Sequence, residues 1–575
     1  MSAAPARRWK LRAAPADESV LHDIVNTLGV DPLVARVLTS RGLDTSESVR
    51  SYLSSGLNAL PDPAQLVDME AATQRLERAL RQQEPISVHG DFDVDGITGC
   101  TLLVESLRSM GGRVDFHIPR RLQDGYGLSA EAIRAAAQSG CRVLISVDCG
   151  VSAVEEAALA AELGLDLIVV DHHQPGDILP RCYALIDPHR SDCSFPDKNL
   201  SGVGVAFFLL IALRRTLRQS GYFNDRTEPD LRQGLDLVAL GTIADIVPLL
   251  GVNRILVRAG LERIDTAQRV GIQALKAVAA VQQVSSGAVG FKLAPRLNAA
   301  GRLEDATLGV DLLLNRDPRQ AAQQAQCLDD LNCERQQVEK QVLEQALSAA
   351  AGFDLSACHS LVLADERWHP GVIGIVASRL VDRFHRPVVL IALEGSGGKG
   401  SARSIAGFNL FEALGRCEET LDRFGGHAMA AGLTIDREYI DLFRQQFEMV
   451  ARQELTADTM VKTMSFDGDI PLDLLTEQRV RSLDMLAPYG AGNPQPVFVA
   501  RQVQVNHVVP VGTSHLRFEA QQGGARVSCI AFGQADRTAE LVSPVDLMFR
   551  VGMNHWRGRD SVQLQIVDFC QPQAI

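Results

Sequence analysis

Between Ile86 and about Leu250 one pattern recurs: a short apolar run rich in β-branched residues, then an Ala/Leu/Glu-rich stretch at helical period. The runs are ISVHG, VLISVD, LDLIVVD and YALID. Three of the four end in an acid, and the first is followed at once by three more. Strands that alternate with helical stretches predict βαβ units around a parallel sheet. Open sheets of this kind bind ligands in the crevice beyond the carboxyl ends of their strands, so these acids are expected to converge there.

One core does not hold the whole chain, because single cores stop growing at roughly 250 to 300 residues and this sequence has 575. Residues 1–75 read as a helical lead-in with a turn at LPDPA, and 76–315 as the α/β domain. From Asp317 to Ala351 apolar residues recur at helical spacing without a glycine, which predicts one long connecting helix over 316–351. Residues 352–460 return to mixed α/β. From 461 to 575 the runs PVFVARQVQVNHVV, HLRFEA, ARVSCIAF, VDLMFRVGM and SVQLQIVDF predict a small β-barrel.

The segment His89-Gly-Asp-Phe-Asp-Val-Asp-Gly96 concentrates the chemistry. If it is extended, His89, Asp91, Asp93 and Asp95 share one face, because side chains alternate along a strand. So many carboxylates in one place imply cations. An EF-hand loop also opens D-x-D-x-D-G but needs a bidentate Glu at position twelve, where this chain has Leu102. Asp148 closes VLISVD, and its alternative is a helix cap. Asp171-His172-His173 closes LDLIVVD and offers two adjacent imidazoles. Asp245 lies in the apolar ALGTIADIVPL, where an unpartnered carboxylate is costly to bury. No glycine-rich stretch matches a nucleotide-binding P-loop.

The ordered set HGDFDVDG, VDCG, DHH and GTIADIVPL resembles the four motifs of the DHH phosphoesterase family. RLQDGYGL, LSGVGVAF, PRLNAAGRL, WHPGVIGIVASRL, GSARS, FGGHAMAAG and LAPYGAGNPQPVF are similar to its single-strand-specific exonuclease branch, from about residue 60 onward. The resemblance implies an α/β DHH domain with a parallel sheet, a smaller α/β DHH-associated domain and an OB-type barrel that binds nucleic acid. It implies two Mn²⁺ or Mg²⁺ ions, one held by His89, Asp93 and Asp148 and the other by Asp95, Asp148, His172 and Asp245. Oxygen and imidazole donors without thiolate suit those metals. The ions would activate water and neutralise charge in the transition state, His173 would touch the scissile phosphate, and Asp91 and Asp171 would orient ligands.

The same resemblance implies digestion of single-stranded DNA from the 5′ end to 5′-mononucleotides, in recombination and repair. Arg121, Arg296, Arg302, Ser401, Arg403 and His427 would form the wall that recognises the 5′ end, since Arg forks suit a terminal phosphate. Tyr126, Phe424, Tyr489 and Trp556 are candidates to stack on bases or line a passage, with core packing as the alternative for each. A single-strand-binding protein and a RecQ-type helicase are the partners it suggests. Two rival readings are a phosphodiesterase of very short RNA or nucleotide second messengers, and a DNA-binding scaffold with a decayed site. The acids and both DHH histidines are all present, which disfavours the scaffold.

A net charge of −13 excludes coating of nucleic acid through overall basicity. The local balance in 501–560, seven Arg against five acids, still fits a backbone groove. The longest apolar stretch, Val203–Leu213, is about half the ~20 residues of a membrane span. With no signal-peptide pattern and eleven scattered cysteines lacking a CxxC pair, a reduced, cytoplasmic monomer is expected.

Overall fold

The computed structural model of the chain describes residues 7–14, 16–120, 127–303, 305–354, 357–556 and 558–572. Strand β1 (Arg7–Leu11) precedes three helices, Glu18–Leu28, Pro32–Ser40 and Ser46–Ser54, opened by Asp17, Asp31 and Thr45, whose side chains accept backbone N–H groups of the first turn. The lead-in therefore contains a strand as well as helices.

The sheet of the first α/β domain comprises β2 (Pro85–Gly90), β3 (Arg113–His117), β4 (Val143–Val147), β5 (Asp166–Val170) and β6 (Ala184–Ile186). Their order is β3-β2-β4-β5-β6, and every pairing is parallel. Helices cover both faces, which is why the strands read as continuous apolar runs: all five residues of β4 are buried. The connections run from β2 outward to β3 and from β4 outward to β5, in opposite directions, which makes the crevice between β2 and β4 the topological switch point.

A helix over Pro318–Ala350, capped by Asp317, leads to the second domain. Its sheet comprises β7 (Leu361–Asp365), β8 (Val388–Glu394), β9 (Gly397–Arg403), β10 (Arg423–Gly426) and β11 (Ala430–Asp436), in the order β10-β11-β9-β8-β7. Only the β7–β8 pairing is parallel. Next come β12 (Lys462–Phe466) and the barrel strands β13 (Gly468–Asp469), β14 (Phe498–Val511), β15 (His515–Gln522), β16 (Ala525–Ala531), β17 (Val545–Trp556) and β18 (Arg559–Cys570). Pairing of β14 with β17 closes the barrel.

β1 pairs in parallel with β12. Ile24, Val34, Leu38 and Val49 of the first helices share a core with Leu486, Phe498, Phe549 and Phe569. The early helices thus have no core of their own and complete that of the barrel. This composite unit is clasped to the first α/β domain: Leu249 N–H donates to the Ala491 carbonyl at 2.8 Å, and Arg254 donates to the carbonyls of Tyr52, Leu486 and Met485 at 2.9–3.1 Å. Among the described residues, no helix is long and apolar enough to cross a membrane.

Candidate metal centre

β2 ends at Gly90, and the helix Val94–Ser109 begins three residues later with Asp93 as its cap, accepting from the N–H groups of Asp95 (2.9 Å) and Gly96 (3.2 Å). The expected extended face of alternating side chains therefore stops at Gly90. The acids meet instead through a strand–turn–helix bend. That bend requires glycine at 96, where a Cβ would lie 2.4 Å from the Asp91 backbone. His89, on the strand side of the bend, has its Nε2 3.1 Å from Ser87 Oγ and its ring 5.0 Å from His117. Burial, and then His117, push its pKa down to about 3.

Among the described residues, three sets of ligand atoms each lie within 4.8 Å of one another: Asp91 with Asp93 and Asp148, Asp95 with His172 and Asp245, and Asp148 with His172 and His173. Asp91 stands in these sets and His89 does not. Asp148 follows β4 in a left-handed conformation, φ +64°, and Gly202 packs against it so closely that a Cβ there would lie 2.7 Å from the Asp148 Cβ. Gly202 also begins the helix Gly202–Gln219, whose N–H groups at Gly202 (2.6 Å) and Val203 (3.0 Å) donate to the Asp95 carboxylate. Unpaired N–H groups at a helix start favour an anion.

Asp171 spends its oxygens on the polypeptide around it. They accept from the N–H of Val151 (2.9 Å), the N–H of His172 (2.8 Å) and the His173 ring (2.7 Å). The neighbouring His172 directs Nε2 at the acids, 3.1 Å from Asp148, 3.6 Å from Asp245 and 3.9 Å from Asp95. Asp245 caps the end of the helix Leu235–Ala244, and its buried Oδ2 has no hydrogen-bond donor.

Burial and then the neighbouring carboxylates raise Asp95 to about 7, Asp245 to about 9 and Asp148 well above the carboxylate range. Burial and His173 lower His172 to about 4. His173 itself rises to about 9: burial lowers it, but its hydrogen bond to Asp171 and the charges of Asp171, Asp245 and Asp95 together outweigh burial. Carboxylates that repel one another in a buried crevice, with an imidazole aimed among them and one oxygen left without a donor, fit divalent cations. Bound cations reverse this local pKa logic, and oxygen and imidazole donors suit Mn²⁺ or Mg²⁺.

The proposed wall residues divide into groups. Ser401 and Arg403 sit together on β9, Arg403 Nη1 lying 3.1 Å from Ser401 Oγ and 2.8 Å from the Ala402 carbonyl. Gly374, at the facing helix start, leaves them room: its Cβ would lie 2.9 Å from both side chains. Arg302 reaches across to the second domain and donates to the Gly371 carbonyl at 3.0 Å. His427 is exposed in the turn between β10 and β11. Arg296 pairs with Asp329 of the long helix at 2.8 Å. Arg121 and Tyr126 lie outside the described residues, as does the side chain of Trp556. Phe424 packs on Phe411 with ring centroids 5.7 Å apart. Tyr489 packs on the barrel core and donates to the Leu483 carbonyl at 2.6 Å.

Four further residues contribute without a signal from residue type. Gly202 and Val203 act through backbone N–H groups. Asn298 accepts the Val94 N–H at 3.2 Å and so fixes the start of the Val94–Ser109 helix. Asp187 follows β6, accepts the His189 N–H at 2.6 Å, and is pushed by burial up to about 8. The only signal for Asp187 was its place at the end of YALID.

Family models match three segments in this order: the DHH family N-terminal domain at residues 85–242, the DHHA1 domain at 354–453 and the RecJ OB domain at 466–568. The chain is 41% identical to the single-stranded-DNA-specific exonuclease RecJ of Dickeya dadantii, over 97% of this chain and 98% of that protein. It is 38% identical to RecJ of Escherichia coli, over 94% and 96% respectively. The crystal structure of RecJ with Mn²⁺ from Thermus thermophilus superposes with a TM-score of 0.85 at 33% identity, covering 99% of this chain and 80% of that one. A likeness this long, in domains of the same order, places the chain in the RecJ family of DHH proteins.

Proposed function

We propose that the chain is a two-metal-ion exonuclease that hydrolyses phosphodiester bonds of single-stranded DNA from the 5′ end and releases 5′-mononucleotides, serving recombination and repair. The observation that carries this reading is the pair of ligand sets, Asp91/Asp93/Asp148 and Asp95/His172/Asp245, joined where Asp148 meets His172 at 3.1 Å. Relatives named as single-stranded-DNA-specific exonucleases, and RecJ structures with Mn²⁺ and with Mg²⁺, support both substrate and metal. In this assignment Asp91, Asp93 and Asp148 would hold one ion and Asp95, His172 and Asp245 the other, with Asp91 in the place expected of His89.

Divalent ions bound there supply an activated water and offset charge developing on the phosphate. The protein's own groups do the positioning. Asp171 holds Nδ1 of the His173 ring and so orients the ring toward the scissile phosphate. Gly202 and Val203 hold Asp95, and the Asp93 cap fixes the bend that carries Asp91. Ser401, Arg403 and His427 bind the terminal 5′-phosphate, where Arg offers a fork of donors.

The test is digestion of a single strand labelled at either end, with Mn²⁺, Mg²⁺ or EDTA, beside a blunt duplex of the same sequence. Metal-dependent release of mononucleotides from the 5′ end of the single strand alone is expected. Activity confined to oligomers of a few nucleotides, or binding without cleavage, overturns the reading.

A further inference from the structure

Asn253 lies outside the acidic motifs, in the helix Gly251–Thr266, and is completely buried. Its Nδ2 donates to two carbonyls, that of Asn199 at 2.5 Å and that of Pro248 at 3.1 Å. These two acceptors are the feet of the Asp95/His172/Asp245 set. Asn199 opens the segment whose Leu200 carbonyl lies against the His172 ring and whose Gly202 and Val203 N–H groups hold the Asp95 carboxylate. Pro248 stands three residues after Asp245, in the turn that leaves the helix Leu235–Ala244.

One carboxamide thus ties together the backbone supports of all three ligands in this set. The bend that carries Asp91 and Asp93 is braced elsewhere, by the Asp93 cap, Gly96 and Asn298, and only Asp148 of their set touches the tied segment among the described contacts, at Gly202. The same region is braced from its ends. Asp197 Oδ2 accepts the Val252 N–H at 2.9 Å, and Leu249 is bonded to Ala491 of the segment leading into the barrel. A completely buried amide retained between two loops has value where the distance between those loops must be fixed, and the span between the Asp95 and Asp245 supports is such a distance.

Building on the two-ion reading, we propose that Asn253 is a positioning residue that sets the spacing of the Asp95/His172/Asp245 site and therefore the affinity of one of the two ions far more than that of the other. Groups that orient metal ligands typically change metal affinity by about 10- to 100-fold when removed.

The experiment is Mn²⁺ titration of the full chain, followed by calorimetry and by the EPR signal of free Mn²⁺, for the native protein, Asn253→Ala and Asn253→Ser. Two bound ions are expected in the native protein. In the variants one ion should weaken by about 10- to 100-fold while the other weakens much less, and Ser, which retains one donor, should lie between Ala and Asn. Half-maximal cleavage should then need correspondingly more Mn²⁺, with turnover approaching the native value at saturation. Two unchanged affinities overturn the proposal. So do equal losses at both sites, or a collapse of the fold in both variants, since each assigns Asn253 to general stability. A native chain that binds no Mn²⁺ overturns the two-ion reading itself.

Discussion

In the crevice beyond β2 and β4, burial and then neighbouring carboxylates raise the pKa of Asp95, Asp148 and Asp245, and a buried oxygen of Asp245 has no donor among the described residues. On β9, by contrast, Arg403 already rests on Ser401 and the Ala402 carbonyl. The first region is held in shape by backbone N–H groups and is electrostatically unfinished without cations. In the second region Arg403 Nη1 already has acceptors within the protein, so a DNA end has to exchange partners there rather than fill a void. Substitutions in the crevice are accordingly expected to act through the reaction itself, and those on β9 through recognition of the DNA end.

The largest effect is expected from Asp148→Ala. Losing a carboxylate that serves both ions should lower single-turnover cleavage by about 10³-fold or more, the equivalent of several kcal/mol of transition-state charge stabilisation. The metal-free variant should nevertheless melt higher than the native chain in calorimetry, because a buried, repelled carboxylate is gone. Unchanged cleavage, or a lower metal-free melting temperature, breaks the contrast drawn above.

The second prediction concerns pH in EDTA. Asp95 and Asp245 have folded pKa values of about 7 and 9 against 3.8 unfolded. The folded state therefore binds more protons, and the contribution is complete below about pH 4 and lost as pH rises through 7 and 9. The metal-free melting temperature should fall between pH 5 and 9, and Mn²⁺ should flatten that slope while raising stability by mass action. A flat metal-free profile would sink the electrostatic account.

Next in size is Gly202→Ala. The added methyl would lie 2.7 Å from the Asp148 Cβ and push the helix start away from Asp95. Displacements of about 1 Å near a reaction centre can cost 10²-fold, so kcat should drop by about 10- to 100-fold with little change in KM. Arg403→Ala should instead reduce the preference for a 5′-phosphate over a 5′-hydroxyl by about 10- to 100-fold. Hydrogen bonds to charged groups are worth roughly 1.5–3 kcal/mol, and competition between the two ends would read this loss out. The smallest kinetic effect is expected from Arg296→Ala, whose partner is Asp329. Turnover should stay within a few-fold and the cost should show in thermal stability; loss of 5′-end preference in this variant would return Arg296 to the wall.

Much of this arrangement is legible in the residue pattern, because acids at the ends of apolar runs mark the mouth of a parallel sheet wherever the strands lie. The company of Asp91 with Asp93 and Asp148, while His89 lies beside Ser87 and His117, is not, since it depends on the strand ending at Gly90 and the chain bending over Gly96. The anchoring of Asp95 is invisible for another reason: its donors are backbone N–H groups of a helix more than a hundred residues away, and backbone groups carry no sequence signature. Arg296 shows the converse, because an arginine in a functional motif looks the same whether it meets a phosphate or Asp329. The partner of the first helices was equally hidden. Their amphipathic spacing shows that one face is covered, and nothing local says by what.

The union of residues 7–54 with the barrel bears on how the chain is made. Arg7 and Trp9 meet Asp568 across 561 and 559 positions, among the longest closures a chain of this length allows. Closing so long a loop costs conformational entropy before any contact repays it, and contacts of high sequence separation form slowly. During synthesis the apolar faces carrying Val34 and Leu38 emerge hundreds of residues before Phe498 and Phe549 arrive to cover them. The two preceding domains can mature in that interval as separate folding units. Truncation before residue 462 would leave the early helices with an uncovered apolar face, so the barrel is separable only together with residues 7–54.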